Sequence, residues 1–579
     1  MLSFQNWSGM IPHSRTVLIL LLAVYWPLLA VAAEGEVLVA DYGAIGDGVA
    51  DDGPALMRAV KALGNVSGPG VLRFAADRNY RVASGDGYAL RLDGLKHVTV
   101  KGEGSTLSLA GDQRALSICN ATNITVRGLR IDYDPLPFSE ALVIGKNAAN
   151  HTIDVRVADG FALPPTGGPT HAGGEQAYFG MLWNPGPFAL RGTHYFLNDL
   201  VAVHGGDPRL LRAQSQDFQN YNIIKPGATR ITLPVRGIAH RPGPGAVVVV
   251  DGSRDVLLEA VEIWSAPWFA VSLTRNEGTL TLRHFNVRPK PGTTRITSSW
   301  RDGIHVKGNR ARLRFEDCCL DGMNDDSFNI ATFISQVISV EGSQIRVRQN
   351  YPDYIPFRVG DHLGTYAVAT GSGLGQAVVI KTEIKSQNQN DGAPEVTLLL
   401  DHSLAGLAAG DQVWSVEAAN PDTTLLRCTI RNSCRFQSPV TLDDCDVVAF
   451  LWFYGESIEG PVPSRVTVRN SRLRLGRGNS ELAVECDGVL HGPPRPDASV
   501  SNPVMRDVVF ENNYIDGRLQ IAHARGVRLI ANRFAPKRAE VLLRDCGDVV
   551  MRGNQSSNMA LPADRVHLEN THLVSVQKP

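Results

Sequence analysis

The feature that most constrains this chain is an octet that returns along much of its length. Apolar residues hold its first and third positions, a Gly, Asn or other small or polar residue stands at the fifth or sixth, and the eighth is usually apolar again. Copies occur at 124–131, 256–263, 280–287, 313–320, 466–473, 508–515 and 527–534, with a weaker one at 549–556. Alternation at positions one and three marks a strand with one buried face, and the residues at five and six are types that let a chain bend. Neighbouring copies begin at 256 and 280, or at 527 and 549, so the pattern returns at a nearly constant interval. A period of that length is one turn of a stack of short strands, in which each turn buries its apolar face against the next. The expected fold is an all-β parallel β-helix, of the right-handed kind, with coils ~4.8 Å apart.

Two stretches break the rhythm. Between about 139 and 245, and between about 332 and 420, the octet gives way to alternating runs such as 152–157, 337–340 and 345–347. These read as two small antiparallel β-barrels inserted into the β-helix, with Gly/Pro-rich punctuation at 164–169 and 241–245. The 579 residues are too many for one ordinary core, and they divide into a signal peptide (1–33), an N-terminal cap with the first coils (34–138), an inserted barrel (139–245), catalytic coils (246–331), a second barrel (332–420) and C-terminal coils (421–579). A β-helix end needs a lid over its open core and strand edges. The aspartate-rich run 41–52 and the amphipathic stretch 53–63 suit that role, with Asp51 or Asp52 as helix cap and Leu56, Ala59, Val60 and Leu63 as the buried stripe. This opening segment resembles that of the pectin-lyase-like right-handed β-helix proteins, many of them active on polysaccharides.

The uncharged apolar run from Val17 to Ala30 ends in Ala30-Val31-Ala32, the pattern of a cleavable signal peptide. It is shorter than the ~20 residues of a spanning helix, so export to the periplasm or medium is expected, with retention as an anchor left open. None of the eight cysteines forms a C-x-x-C pair or a zinc-spaced cluster. They read as core or stacking residues, and a disulfide is left open. The net charge of −1 provides no positive field for nucleic acid or an anionic membrane. A neutral partner fits better, and no motif calls for a cofactor or a metal.

The sharpest local feature is Asp302-Gly-Ile-His305 followed by Gly322-Met-Asn-Asp-Asp-Ser-Phe-Asn-Ile330. Asp302 precedes Asp325 by one coil of the repeat spacing, so Asp302, Asp325 and Asp326 should meet on one face. Three carboxylates that close repel, so one keeps its proton while another stays ionised. Glycoside hydrolysis requires that asymmetry: an acid for the leaving oxygen and a base for water.

The Asp-Gly and the Asp-Asp one coil later are similar to the polygalacturonases. A closer likeness is to glycoside hydrolase family 110, the exo-acting inverting α-1,3-galactosidases, carried by Ile131-Asp-Tyr-Asp-Pro-Leu-Pro-Phe138, Arg288-Pro-Lys-Pro-Gly292 and the two aspartate motifs, over about 41–534. The resemblance implies Asp325 as general acid, Asp302 and Asp326 as the pair that holds and deprotonates water, two inserted barrels, and a galactose-terminated oligosaccharide or glycoconjugate as partner. Inversion implies acid and base ~6.5–9.5 Å apart. The run Ser298-Ser-Trp-Arg301 departs from the smaller polar residues expected before Asp302.

Around these, His305, Arg295, Lys307 and Asn324 are candidate contacts for sugar hydroxyls, and Trp264 and Trp268 for stacking on galactose. His305 and the tryptophans serve equally as structural residues, and Arg295 and Lys307 as solvated charges. Linear and fucosylated, blood-group-B-like substrates both stay open, as does pairing into a homodimer. The competing readings are a polygalacturonase-like hydrolase of an acidic polymer, for which the only local cations are Arg295, Arg301 and Lys307, and a non-catalytic glycan-binding β-helix.

Overall fold

The octet is the corner of a coil. In the computed structural model the fifth residue of every octet has a left-handed backbone: Gly128, Ala260, His284, Asp317, Asn470, Asn512, Ala531 and Gly553, with φ from +49° to +70°. Only a residue in that conformation turns a strand so tightly, which is why Gly and Asn recur there. The strand before each corner ends with its first and third octet residues facing inward, as with Val256 and Leu258, Leu280 and Leu282, or Leu313 and Phe315, and the eighth (Ile263, Val287, Leu320) is inward again on the strand that follows. Two further coils at 423–430 and 440–447 have Arg427 and Asp444 at the left-handed corner. The copy at 440–447 keeps the pattern in full, with Val440, Leu442 and Val447 apolar and Cys445 at the sixth place, whereas 423–430 opens on Thr423 in place of an apolar residue.

The structure describes residues 35–577 except 165, 167–177, 186–190, 198, 204–205, 215–220, 236–244, 350–353, 386–393, 476–480, 494–500 and 572. The apolar run expected to direct export lies outside the described residues, as do most of the Gly/Pro stretches at 164–169 and 241–245.

Each full coil contributes to three parallel ladders. One runs through Arg254–Glu259, Glu277–Arg283, Arg312–Glu316 and Asp422–Leu426, and the next, beyond the corner, through Glu262–Ile263, Asn286–Val287, Cys319–Leu320 and Thr429–Ile430. The third stacks Val271–Thr274, Ile304–Lys307, Phe328–Ala331, Cys434–Phe436, Leu451–Glu456 and Leu482–His491. One continuous apolar core runs inside them from Val37 to Met551. The helix Gly53–Leu63 covers its first coils, burying Leu56, Ala59 and Leu63 with Val60 half-buried. The Asp52 carboxylate does not cap the helix, as it accepts from the backbone of Ile45 and Gly46 instead, while Asp51 accepts from Gly53 N at 3.2 Å.

The inserts interrupt the stack without breaking its register. Val256 still pairs with Ile124 across the first, and Thr423 with Leu313 across the second. The first holds a seven-stranded antiparallel sheet formed from Phe138–Asn147, Thr152–Val157, Tyr178–Asn184, Arg191–Leu197, Asp199–Ala202, Leu210–Gln214 and Arg230–Pro234. The second closes as a six-stranded barrel from Ser335–Glu341 to Gln412–Ser415. Each has its own apolar core.

All eight cysteines are free. Cys318, Cys428 and Cys445 hold the sixth octet position on three successive coils. Their thiols donate to the carbonyls of Leu282, Phe315 and Leu425 on the preceding coil at 3.3–3.5 Å. Asn513, Asn532 and Asn554 do the same further along, at 2.7–2.8 Å to Val468, Phe510 and Leu529. Stacking, with no disulfide, is thus the cysteines' role at that corner.

Candidate active site

Two adjacent strands of the third ladder, Ile304–Lys307 and Phe328–Ala331, are each entered by a loop that carries aspartates. Ile304 pairs with Phe328, so the coil here is slightly longer than the interval from Asp302 to Asp325. Asp302 is therefore level with Asp326, and Asp325 lies just before it on the same loop. Gly303 N donates to Asp326 O at 2.8 Å, and a Cβ at Gly303 would lie 2.9 Å from Ser327 O, so glycine lets the loops close on one another. One oxygen from each of Asp302, Asp325 and Asp326 falls within 4.8 Å of the others. The three expected carboxylates do meet.

An inverting acid and base were expected ~6.5–9.5 Å apart, carboxyl to carboxyl; the 4.8 Å found here is the limit between one oxygen of each group. A water bonded to two oxygens at ~2.8 Å each, with an angle of about 110–120°, would hold them ~4.6–4.8 Å apart, so one water fits between a pair of these carboxylates.

Asp302 is 2% exposed and Asp326 3%, while Asp325, at 8%, is the most open of the three. Burial, then the charge of Asp325, pushes the Asp302 carboxyl well above the usual range. Burial also pushes Asp326 up to about 7, against the pull of Arg435, with Asp325 and Asp302 adding to the rise. Asp325 accepts from Arg301 Nη1 at 3.1 Å, and Arg301 lies over the Trp268 ring at 5.0 Å. The bulky departure before Asp302 thus places a cation on a second carboxylate of the cluster.

His305 touches the cluster rather than the open side, with Nδ1 2.7 Å from Asp302 Oδ2 and its ring stacked on Phe269 at 4.4 Å. Burial, with Lys307 nearby, lowers its pKa to about 4, so it is neutral near pH 7 and orients Asp302. Lys307 is buried, and burial lowers it to about 8. Both amide atoms of Asn324 are buried without a hydrogen-bond partner among the described residues.

Trp264 and Arg295 are drawn to other carboxylates: Trp264 Nε1 donates to Glu262 at 2.9 Å, and Arg295 binds Asp132. Asp132 accepts from Arg295 Nη1 at 2.8 and 3.1 Å, from Lys290 at 3.3 Å and from Ser265 at 2.7 Å, and Lys290 lies 4.9 Å over the Trp264 ring. Arg295 is therefore not a solvated charge. The buried Glu140, from the first insert, accepts from the backbone of Ile296 and Thr297 at 2.9 Å each and pairs with Arg230 at 2.5 Å. Asp132 and Glu140 together pin the loop that leads to Asp302.

The largest omission of sequence reasoning is Arg435. Its Nε donates to Asp326, its Nη2 is 4.0 Å from Asp325, and its Nη1 donates to Glu459 at 2.9 Å. Burial would lower its pKa, but Asp326, Glu459 and Asp325 hold it far above the ordinary value. The signal was indirect: the whole barrel lies between Asn329 and its partner Arg435 in the chain, although the two are neighbours in the ladder. Among the described residues the three aspartates are the one group whose donors are close enough to share a cation. Arg301, Arg435 and His305 already stand at those carboxylates.

No family model matches the chain. Among curated proteins it is similar to α-1,3-galactosidase A of Akkermansia muciniphila, 22% identical over 336 residues that cover 52% of each chain. It is similar too to α-1,3-galactosidase A of Streptomyces avermitilis, 22% identical over 442 residues, 68% of this chain and 69% of that one, and to α-1,3-galactosidase B of Parabacteroides distasonis, 24% identical over 360 residues, 57% and 55%. The chain is a distant relative of the α-1,3-galactosidases. It spans between about half and two thirds of the length of these galactosidase relatives. Among solved structures it is similar to a GH87 α-1,3-glucanase from Streptomyces thermodiastaticus, with a TM-score of 0.38, 10% identity and coverage of 94% of this chain and 70% of that one. A family 28 exopolygalacturonase from Yersinia enterocolitica has a TM-score of 0.35, 10% identity and coverage of 93% and 78%.

Proposed function

We propose that the protein is an exported exo-glycosidase that removes terminal α-1,3-linked galactose from glycans with inversion. The observation that carries this is the cluster of three buried carboxylates within 4.8 Å, with cations on two of them, in a chain related to α-1,3-galactosidases. Asp325, the most open of the three, is the general acid. Its carboxyl proton passes to the glycosidic oxygen as the bond from that oxygen to the anomeric carbon breaks. A water held between Asp302 and Asp326 attacks the same carbon from the opposite face and gives its proton to Asp326, whose ionised form Arg435 favours. Neutral His305 and the Arg435 guanidinium fix the pair's orientation. Export rests on the apolar run 17–30 and its Ala-Val-Ala end.

An acidic polymer suits the site less well. Arg295 is tied to Asp132 and Arg301 to Asp325, so two of the three local cations such a substrate needs are engaged internally.

The test is to follow Gal-α-1,3-Gal by NMR during hydrolysis. β-Galactose should form first; an initial α-anomer contradicts inversion, and no galactose at all contradicts the activity. Asp325→Asn should abolish release from the disaccharide yet retain much of the rate on an aryl α-galactoside whose leaving group needs no proton. Equal loss on both substrates would move the acid role to another aspartate.

A further inference from the structure

Between the barrel and the coils lies a cavity of about 470 Å³ whose lining includes Trp414, Gln437, Pro461, Val462, Arg465 and Arg506. That volume is in the ~300–1,000 Å³ range of small-molecule sites. Two short segments join it to the carboxylates. Gln437 is two residues beyond Arg435, ~7 Å along an extended chain, and Pro461 is two residues beyond Glu459, the partner of Arg435. Gly460 seals these segments together, for a Cβ there would lie 3.1 Å from Gln437 Cβ and 3.2 Å from its Oε1.

Gln437 is fully buried, and neither its amide oxygen nor its amide nitrogen has a hydrogen-bond partner among the described residues. Leaving such groups unpaired is costly, and Gln437 lines the cavity. Trp414, Pro461 and Val462 present apolar faces beside this amide, a combination that suits a sugar ring with its C–H faces and hydroxyl edges. Arg465 and Arg506, both exposed, donate to the carbonyls of Pro421 and Pro503 and have no carboxylate partner among the described residues. Their remaining N–H groups are available for hydroxyls.

We propose that this cavity binds the part of the glycan beyond the scissile bond, one or two sugar residues on the leaving-group side of the galactose. The inference rests on the galactosidase reading above and adds to it a preference for extended glycans over simple galactosides. It also gives the barrel a role, since Trp414 forms a wall of the cavity.

The experiment compares kcat/KM for an oligosaccharide ending in Gal-α-1,3-Gal and extended by two further sugars with kcat/KM for an aryl α-galactoside. It is run on the full chain and on Gln437→Leu and Arg465→Gln. Leucine is one heavy atom smaller than glutamine and leaves nothing unpaired, so Gln437→Leu should fold, which thermal melting checks. The ratio of the two constants should fall about ten-fold in each variant, the scale of one or two lost neutral hydrogen bonds. An unchanged ratio in both variants, with wild-type enzyme active on both substrates, overturns the subsite alone. Failure of the wild type to release galactose from either substrate overturns the subsite together with the galactosidase reading.

Discussion

Replacing Arg435 with glutamine should move the pH dependence of hydrolysis more than any other change away from the carboxylates. The guanidinium donates directly to Asp326 and stands 4.0 Å from Asp325. A unit charge at ~4 Å contributes about 4 kcal/mol at an effective dielectric of ~20, or roughly three pK units. Asp326 sits at about 7 with Arg435 in place, because burial and the charges of Asp325 and Asp302 outweigh the guanidinium. Without it the carboxyl should rise by about two to three units. An ionised base is needed to take the proton of water, so the acidic limb of the kcat/KM profile should shift to higher pH by that amount, with about a hundred- to thousand-fold loss at pH 6. Arg435→Lys retains a charge but not the planar fork that reaches Asp326 and Glu459 together, so its limb should fall between the other two. The assay is galactose release from Gal-α-1,3-Gal between pH 4 and 10. An Arg435→Gln profile that loses height at every pH, with its acidic limb unmoved, would refute this electrostatic account and leave Arg435 a packing role.

Asp302→Asn should be inactive but more stable than wild type at neutral pH. The folded carboxyl is raised above its unfolded value, so the contribution of Asp302 to stability is greatest at low pH and falls as pH rises from about 4 toward the folded pKa, by ~1.4 kcal/mol per unit. Melting curves of the two proteins should coincide near pH 4 and separate progressively up to pH 7. Glu140→Ala should release the backbone of Ile296 and Thr297, lowering kcat/KM about ten-fold and speeding hydrogen exchange over 290–300, as expected when a buried carboxylate partner is lost. In the corner stack, Asn532→Ala should cost ~3 kcal/mol and Cys428→Ala only ~1. Asn532 links Asn513, Asn554 and Phe510 through several hydrogen bonds, whereas the Cys428 thiol makes weaker contacts to the carbonyls of Phe315 and Leu426; denaturant titration separates the two.

The coils were legible because their corners impose a rule that can be read along one strand of text: apolar at one, three and eight, left-handed at five. Thr423 takes the first place of 423–430, so that coil departs from the rule, while the coil at 440–447 obeys it. The three aspartates were legible for the same reason, since one coil of separation is a short distance in sequence, though the pairing of Ile304 with Phe328 sets Asp302 level with Asp326 rather than with Asp325. Arg435, Glu459, Asp132 and Glu140 were not. Each meets the site across an insert or from a different coil, so no spacing in the chain encodes the contact. His305 was read as either a sugar contact or a structural histidine, and its Nδ1 meets Asp302; a histidine three residues after an aspartate, at the start of a strand, is as well placed to brace that carboxylate as to meet a sugar.

Burying three carboxylates within reach of one another is costly unless charge of the opposite sign is buried with them. Here that charge arrives from both sides along the stack, Arg301 from the loop before Asp302 and Arg435 from the coil after Asp326, while Glu459 in turn neutralises part of Arg435. The balance is local, and it leaves few cations turned outward for a substrate. The chain's net charge of −1 carries little information by itself, but with Arg295 bound to Asp132 and Arg301 to Asp325, two of the local cations that could hold an acidic sugar over the aspartates are already engaged. Selection of substrate then rests chiefly on hydroxyl geometry and ring shape. The buried, unpartnered amides of Asn324 and Gln437 are placed to contribute to it.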